Sequence, residues 1–192
     1  MPDLKLFMVL IGCKPKGRFT EQHDVFFGIS DALPALVPQL KAWWPEAADR
    51  NADMHIDAWR EVTQVGPYAI EVYEKSTADE KEVPTSPRLF FLNLGGYKPK
   101  EFEEHHYKML VAADNIALAI KQGKATAFFK HTGFKGAPSH VDEKYGLDAD
   151  DVYPVEEMLD PAVKYLYGLR LKLQTGPEDD FKLGYLILKK LK

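Results

Sequence analysis

The sequence predicts an α+β protein: two strand-helix-strand(-strand) repeats related by an approximate two-fold, packed on a mixed sheet and followed by a C-terminal β-hairpin. Three observations carry this expectation. First, one stretch of the chain occurs twice. Leu6-Phe7-Met8-Val9-Leu10-Ile11-Gly12 with Lys14-Pro15-Lys16 returns as Leu89-Phe90-Phe91-Leu92-Asn93-Leu94-Gly95 with Lys98-Pro99-Lys100. An internal repeat governs the architecture and is weighed before any single element. Second, the apolar spacing after each copy changes to intervals of three and four, as on one face of a helix. Third, the last thirty residues alternate apolar and polar positions around a Gly-Pro turn, the pattern of a half-buried hairpin.

The copies keep order and spacing. The offset is 83 positions from Leu6 to Leu89 and from His23 to His106, and 85 from His55 to His140. Residues 1–75 are assigned to repeat one, 76–87 to a linker, 88–162 to repeat two and 163–192 to the hairpin. The linker, Ser76 to Pro87, is rich in charged and turn-forming residues and poor in large apolar ones, as expected of an exposed connection.

Each repeat opens with an apolar run read as a strand. In copy one, Phe26, Ile29, Leu33, Leu36, Val37 and Leu40 then follow helical spacing. Pro34 and Pro38 break any single straight helix, because proline lacks an amide donor and clashes with the preceding turn. In copy two, Met109, Leu110, Ala113, Ile116, Ala117 and Ile120 are spaced alike, with Gly123 as a stop. His55 to Val62 and Tyr68 to Tyr73 suit strands joined near Gly66-Pro67. In the tail, Val163, Tyr165, Tyr167, Leu169, Leu171 and Leu173 alternate, the turn runs from Thr175 to Asp180, and Phe181, Leu183, Tyr185 and Ile187 complete the second arm.

Bulk properties narrow the function classes. The chain has 192 residues, 45% hydrophobic, with 25 basic and 29 acidic side chains and a formal net charge of −4. A mildly acidic total does not suit a protein that coats a phosphate backbone, so nucleic acid is not an expected partner. The longest apolar run, Leu6 to Ile11, is far below the roughly 20 residues needed to span a bilayer, and no membrane is expected. Leu10-Ile11-Gly12-Cys13 resembles a lipid-attachment box, yet the same stretch recurs internally and lacks a basic start, so it reads as a buried strand. A single cysteine permits no intramolecular disulfide, and a reducing cytoplasm is the expected compartment.

Two groups of polar residues are duplicated. Lys14, Lys16 and Arg18, with Lys98 and Lys100, follow the first strand of each copy. At a strand-loop-helix junction such cations and free helix amides can hold a small anionic ligand. The alternative is a tight turn with solvated lysines, and no Walker or dinucleotide pattern is present. The second group is Glu21, His23, His55 and Asp57 in copy one, matched by Glu104, His106, His140 and Asp142 in copy two. Two imidazoles and two carboxylates suit a divalent cation such as zinc, iron or manganese, or an acid-base pair. His-x-Asp on a strand places both side chains on one face, whereas Glu21 and His23 would diverge on a helix. No ligand spacing here is diagnostic, and a structural role for these histidines carries the greater weight.

Cys13 has no surrounding that would lower its thiol pKa, and copy two has Gly96 in its place. The acidic run Asp148 to Asp151 lacks the further ligands of a calcium loop. Trp43, Trp44, Phe128 and Phe129 are expected in the core.

Phe7-Met8-Val9-Leu10-Ile11-Gly12-Cys13-Lys14-Pro15-Lys16-Gly17-Arg18, Glu21-Gln22-His23-Asp24 and His55-Ile56-Asp57-Ala58-Trp59-Arg60-Glu61-Val62 resemble the bacterial domain of unknown function 1543. Phe129-Lys130-His131-Thr132-Gly133-Phe134-Lys135-Gly136 and His140-Val141-Asp142-Glu143-Lys144-Tyr145-Gly146 are similar to the same pattern. The resemblance covers most of Lys5 to Leu159 and implies one or two copies of the domain, in agreement with the repeat. It implies no activity, so no reaction and no catalytic residue is assigned. Two functions remain open: a protein that binds a small anionic ligand or divalent metal at the duplicated positions, and a non-catalytic scaffold that forms a homodimer through its hairpin and aromatic residues.

Overall fold

The computed structural model describes residues 3–47, 53–75, 87–131, 133–134, 137–138, 140–141 and 152–191. The chain is a mixed α+β protein with several antiparallel sheets and few helices. It divides into two compact units, one formed by Met1–Glu80 and Met158–Lys192, the other by Lys81–Glu157.

The first unit begins with β1 (Lys5–Cys13), which turns back through residues 14–21 into β2 (Gln22–Ser30). The two strands pair antiparallel from Lys5 opposite Ser30 to Cys13 opposite Gln22. Sequence spacing placed the start of a helix here. The run Val25-Phe26-Phe27-Gly28-Ile29 is instead buried at every position, as in a strand covered on both faces. Such a run and a buried helix share the same apolar periodicity. The helix comes later. A 3-10 turn at Leu33–Leu36 leads into α1 (Val37–Trp43), and each has its proline in the first turn, where no amide donor is required. Then come β3 (His55–Glu61), β4 (Gln64–Val65) and β5 (Tyr68–Glu74), with Gly66 at φ +56° in the connecting turn. The core of this unit gathers Phe7, Val9, Ile11, Phe26, Leu36 and Ile56.

In the second unit, β6 (Arg88–Tyr97) pairs with β7 (Glu104–Ala113) where a helix was expected over Met109 to Ile120. The helix α2 spans Ile116–Lys124 and starts at Asn115, whose side chain accepts a hydrogen bond from the Leu118 amide at 3.0 Å. Gly123 lies in its last turn, and a Cβ there would sit 2.7 Å from a Leu92 methyl. The unit continues with α3 (Ala127–His131), β8 (Gly133–Phe134), β9 (Ala137–Pro138), β10 (His140–Val141), β11 (Val152–Pro154) and α4 (Val155–Met158). Its own core holds Phe90, Leu92, Leu94, Val111, Ala119 and Val152.

The chain returns to the first unit through α5 (Pro161–Leu166), β12 (Tyr167–Leu173) and β13 (Lys182–Ile187). Val163 and Tyr165, expected in a strand, lie in α5. The start of that helix is set by Asp160, which accepts from the Ala162 amide at 2.8 Å, and by Pro161 in the first turn. The expected hairpin is not formed. β12 pairs with β5 and β13 pairs with β3, which gives the sheets β13-β3-β1-β2 and β12-β5-β4. The connection between β12 and β13 is tied down elsewhere. The Asp179 carboxylate accepts from the Thr63 hydroxyl at 2.6 Å and from the amides of Thr63 and Gln64 at 3.1–3.3 Å. Gln64 in turn donates its side-chain amide to the Gln174 carbonyl at 3.0 Å. Every described ladder is antiparallel and each unit carries its own sheets, so the mixed sheet shared by two repeats is not observed. The expected linker, apart from Pro87, lies outside the described residues. No described helix is long and apolar enough to cross a membrane.

Asp179 offers a direct test of how the tail is held. Asp179→Ala leaves two backbone amides and a hydroxyl without their acceptor, and is expected to lower unfolding free energy by about 1–3 kcal/mol. Urea unfolding followed by circular dichroism measures the change.

Candidate metal centre

The registers of β1 with its two neighbours place one row of residues across the first sheet. Gly12 stands opposite His23 of β2 on one side and opposite His55 of β3 on the other. Directly paired residues share a face, so the two imidazoles flank a position that has no side chain. Glu21 precedes His23 by two residues and Asp57 follows His55 by two, and strand alternation brings both carboxylates to this face. The divergence expected of Glu21 and His23 on a helix is thus removed, because the segment is extended.

The polar atoms converge. His55 Nε2 lies 3.2 Å from Glu21 Oε1 and 3.4 Å from Asp57 Oδ1. His23 Nε2 lies 3.3 Å from Asp57 Oδ2 and 3.6 Å from Glu21 Oε2. Ligand atoms of Glu21, His23 and His55 all fall within 4.8 Å of one another. Asp57 spans the same two imidazoles with one oxygen each.

His55 fixes the sign of the site. It is 1% exposed, and its Nδ1 lies 2.6 Å from the Asp53 carbonyl oxygen, which can only accept. Nδ1 therefore carries the proton, and in the neutral ring Nε2 holds a lone pair. That lone pair faces two carboxylates. The buried atoms His55 Nε2 and Asp57 Oδ2 make no hydrogen bond, a condition that costs stability unless a positive charge is present. Imidazolium or a bound cation supplies it. A four-coordinate ion with ligands about 2.0–2.1 Å away keeps them about 3.3–3.4 Å apart along the edges of the tetrahedron. The four contacts above, 3.2–3.6 Å, are of that order, with each carboxylate turning one oxygen to each imidazole. The carbonyl behind His55 is the kind of outer partner that orients a metal-binding histidine.

Gly12 makes the room. A Cβ at this position would lie 2.6 Å from His55 Nε2, 2.7 Å from Asp57 Oδ2 and 3.0 Å from His23 Cδ2. Tyr185 of β13, 57% exposed, lays its ring 4.1 Å from that of His55. Desolvation raises the Tyr185 phenol above its ordinary pKa, and the negative charges of Asp53, Glu21 and Asp57 add to the effect. Burial, followed by the charge of Glu21, likewise raises the Cys13 thiol, so it is no activated nucleophile.

An open groove adjoins the centre and shares His23 with it. Its lining includes Lys14, Lys16, Arg18, Gln22, Trp44 and Glu46. The three cations expected to hold an anion thus lie along one groove, in the β1–β2 loop. This loop connects two strands, so the helix N-terminus expected behind them is not there. Lys98 and Lys100 occupy the corresponding β6–β7 loop of the second unit, also between strands. In that unit Gly95 stands opposite His106 and His140, the same pairing as around Gly12. Glu104 opens β7, the side chain of His140 is not described, and Asp142 lies outside the described residues. His105, which sequence reasoning did not single out, pairs with Glu101 at 2.6 Å.

Sequence reasoning also passed over three residues of the first centre. Gly12 left a signal, since Gly95 keeps it in the second copy. Asp53 acts through its backbone and leaves none. Tyr185 was placed in a hairpin whose partner strand was wrong.

The model of the Domain of Unknown Function (DUF1543) matches residues 18–72, which include Glu21, His23, His55 and Asp57. No functionally curated protein matches the sequence. Among solved structures, the crystal structure of a protein Il1583 from Idiomarina loihiensis is similar, with a TM-score of 0.59 and 20% identity. The likeness covers 98% of this chain and 99% of that one, and it extends to the fold.

The cavity over Gly12 is open to test. Gly12→Ala is expected to destabilise the protein by about 1–3 kcal/mol through overpacking and to displace the imidazole of His55. Thermal unfolding reads the first effect and the His55 ring resonances in an NMR spectrum read the second.

Proposed function

We propose that the first unit binds a divalent transition-metal ion through Glu21, His23 and His55 with Asp57 alongside, and presents it to a small anionic ligand held by Lys14, Lys16 and Arg18. One observation carries this reading. A buried, oriented lone pair on His55 Nε2 faces two carboxylates without a hydrogen bond, at distances suited to a shared cation. Most buried side-chain polar atoms find a hydrogen-bond partner, and His55 Nε2 is an exception that points at carboxylates. Mixed imidazole and carboxylate ligands suit zinc, iron or manganese. A bound ion would supply Lewis acidity beside a groove whose cations attract the substrate's negative charge. A cytoplasmic location is proposed on the buried, unpaired Cys13.

The two units are inferred to descend from one doubled module. Support comes from their common register, Gly12 between His23 and His55 and Gly95 between His106 and His140. Glu104, His106, His140 and Asp142 would then be a second centre.

A second reading, a homodimeric scaffold, draws on one feature. Among the described residues β13 is an edge strand, with Leu183 81% exposed and the preceding Phe181 63% exposed, the kind of edge that pairs with another chain. A monomer in sedimentation at micromolar concentration removes this alternative.

Calorimetric titration of metal-free protein with Zn²⁺ tests the main proposal. One ion per chain is expected from the first unit, and two if the second set also binds. The variant H23A/H55A should lose more than the roughly 10–100-fold in affinity that removal of a mere supporting partner costs. Unchanged affinity in that variant overturns the assignment. Binding should also release protons and weaken as pH falls, because the ligands must be deprotonated.

A further inference from the structure

Resting on the metal reading above, we propose that Tyr185 is a positioning residue of the centre, and that through it the C-terminal strand β13 is coupled to metal occupancy. The argument begins with a defect in the ladder. β13 pairs with β3 regularly at Lys182 opposite Trp59 and Leu183 opposite Ala58, then resumes at Leu186 opposite Ile56 and Ile187 opposite His55. Two residues, Gly184 and Tyr185, therefore oppose the single residue Asp57. This is a β-bulge, and such insertions re-aim a side chain. Gly184 has φ +153°, a conformation open to glycine and strained for other residues.

The bulge decides which face Tyr185 occupies. In an uninterrupted ladder Tyr185 would stand opposite Ile56, on the core face. A shift of one residue exchanges the faces of a strand. With the bulge, Leu186 takes the place opposite Ile56 and packs against the core. Tyr185 is delivered to the His55 face, its ring 4.1 Å from the imidazole at an interplanar angle of 31°. The β1–β3 ladder shifts at the same place, with Leu10 opposite Ala58 and Ile11 opposite Ile56, so Asp57 has no partner on β1. Irregularities in two adjacent ladders meet at one candidate ligand and its neighbour.

His55 is thus held from two sides. Asp53 fixes the direction of Nδ1 and the Tyr185 ring limits rotation of the imidazole plane. The phenol ring does this by shape, so phenylalanine should serve in its place.

The test compares wild type, Y185F and Y185A in titrations with Co²⁺, followed by calorimetry, by the visible d–d absorption band, and by hydrogen exchange across Lys182–Ile187. Wild type and Y185F are expected to bind within about threefold of each other, with the same band, and bound Co²⁺ should slow exchange in β13. Y185A should bind about tenfold or more weakly, the lower range for loss of an orienting partner, with an altered band and no slowing of exchange. Wild-type affinity, band and protection in Y185A overturn the role of Tyr185 and leave the metal centre standing. Failure of the wild type to take up Co²⁺ overturns both.

Discussion

The first sheet is organised around an electrostatic imbalance at His55. A carbonyl oxygen behind the ring directs its proton to Nδ1, and the opposite nitrogen is left facing two carboxylates in a buried place. A neutral imidazole there sets its buried lone pair against carboxylate oxygens, although Glu21 and His23 reach solvent with side chains 42% and 41% exposed. Several other features of the unit make sense as conditions for this cluster. Gly12 vacates the volume between the imidazoles, bulges at Asp57 free a carboxylate from the ladder, and β13 contributes a ring against His55. None of these is needed by a plain antiparallel sheet.

Much of the candidate cluster was legible in the sequence, and the reason is the recurring stretch. Glu21, His23, His55 and Asp57 recur with Glu104, His106, His140 and Asp142 at nearly fixed offsets, and strands convert such offsets into spatial rows. The route from residues to geometry was misjudged, however. Phe26 and Ile29, and Met109 with Ala113, have helical spacing, yet Val25–Ile29 and Leu110–Ala113 are near-continuous apolar runs in strands. Period alone cannot separate a strand buried on both faces from a buried helix. Extended backbone is also what allows Glu21 and His23 to act on one point.

The tail shows the opposite case. Its alternation identifies two strands correctly, β12 and β13, but pairing is a property of free edges elsewhere in the fold. β5 and β3 each offer one, and Asp179 anchors the intervening segment to Thr63 and Gln64. A turn sequence suggests that a chain reverses and does not say against which strand it lies. Residues that act by backbone, such as Asp53, or by absence, such as Gly12, are equally hard to single out from composition.

The C-terminal extension also separates the two units chemically. Gly95 lies between His106 and His140 as Gly12 lies between His23 and His55. In the first unit the strand carrying the second histidine is flanked by β13, which brings a bulge and an aromatic ring. In the second, the strand carrying His140 is an edge among the described residues, in the order β10-β6-β11 with β7 also on β6. If both units descend from one module, the tail reinforces only the first. The first unit then holds a candidate cluster with an aromatic ring beside it, and the second a candidate set without one. This asymmetry follows from a single strand, β13, whose bulge shifts Tyr185 from the core face to the face of the site.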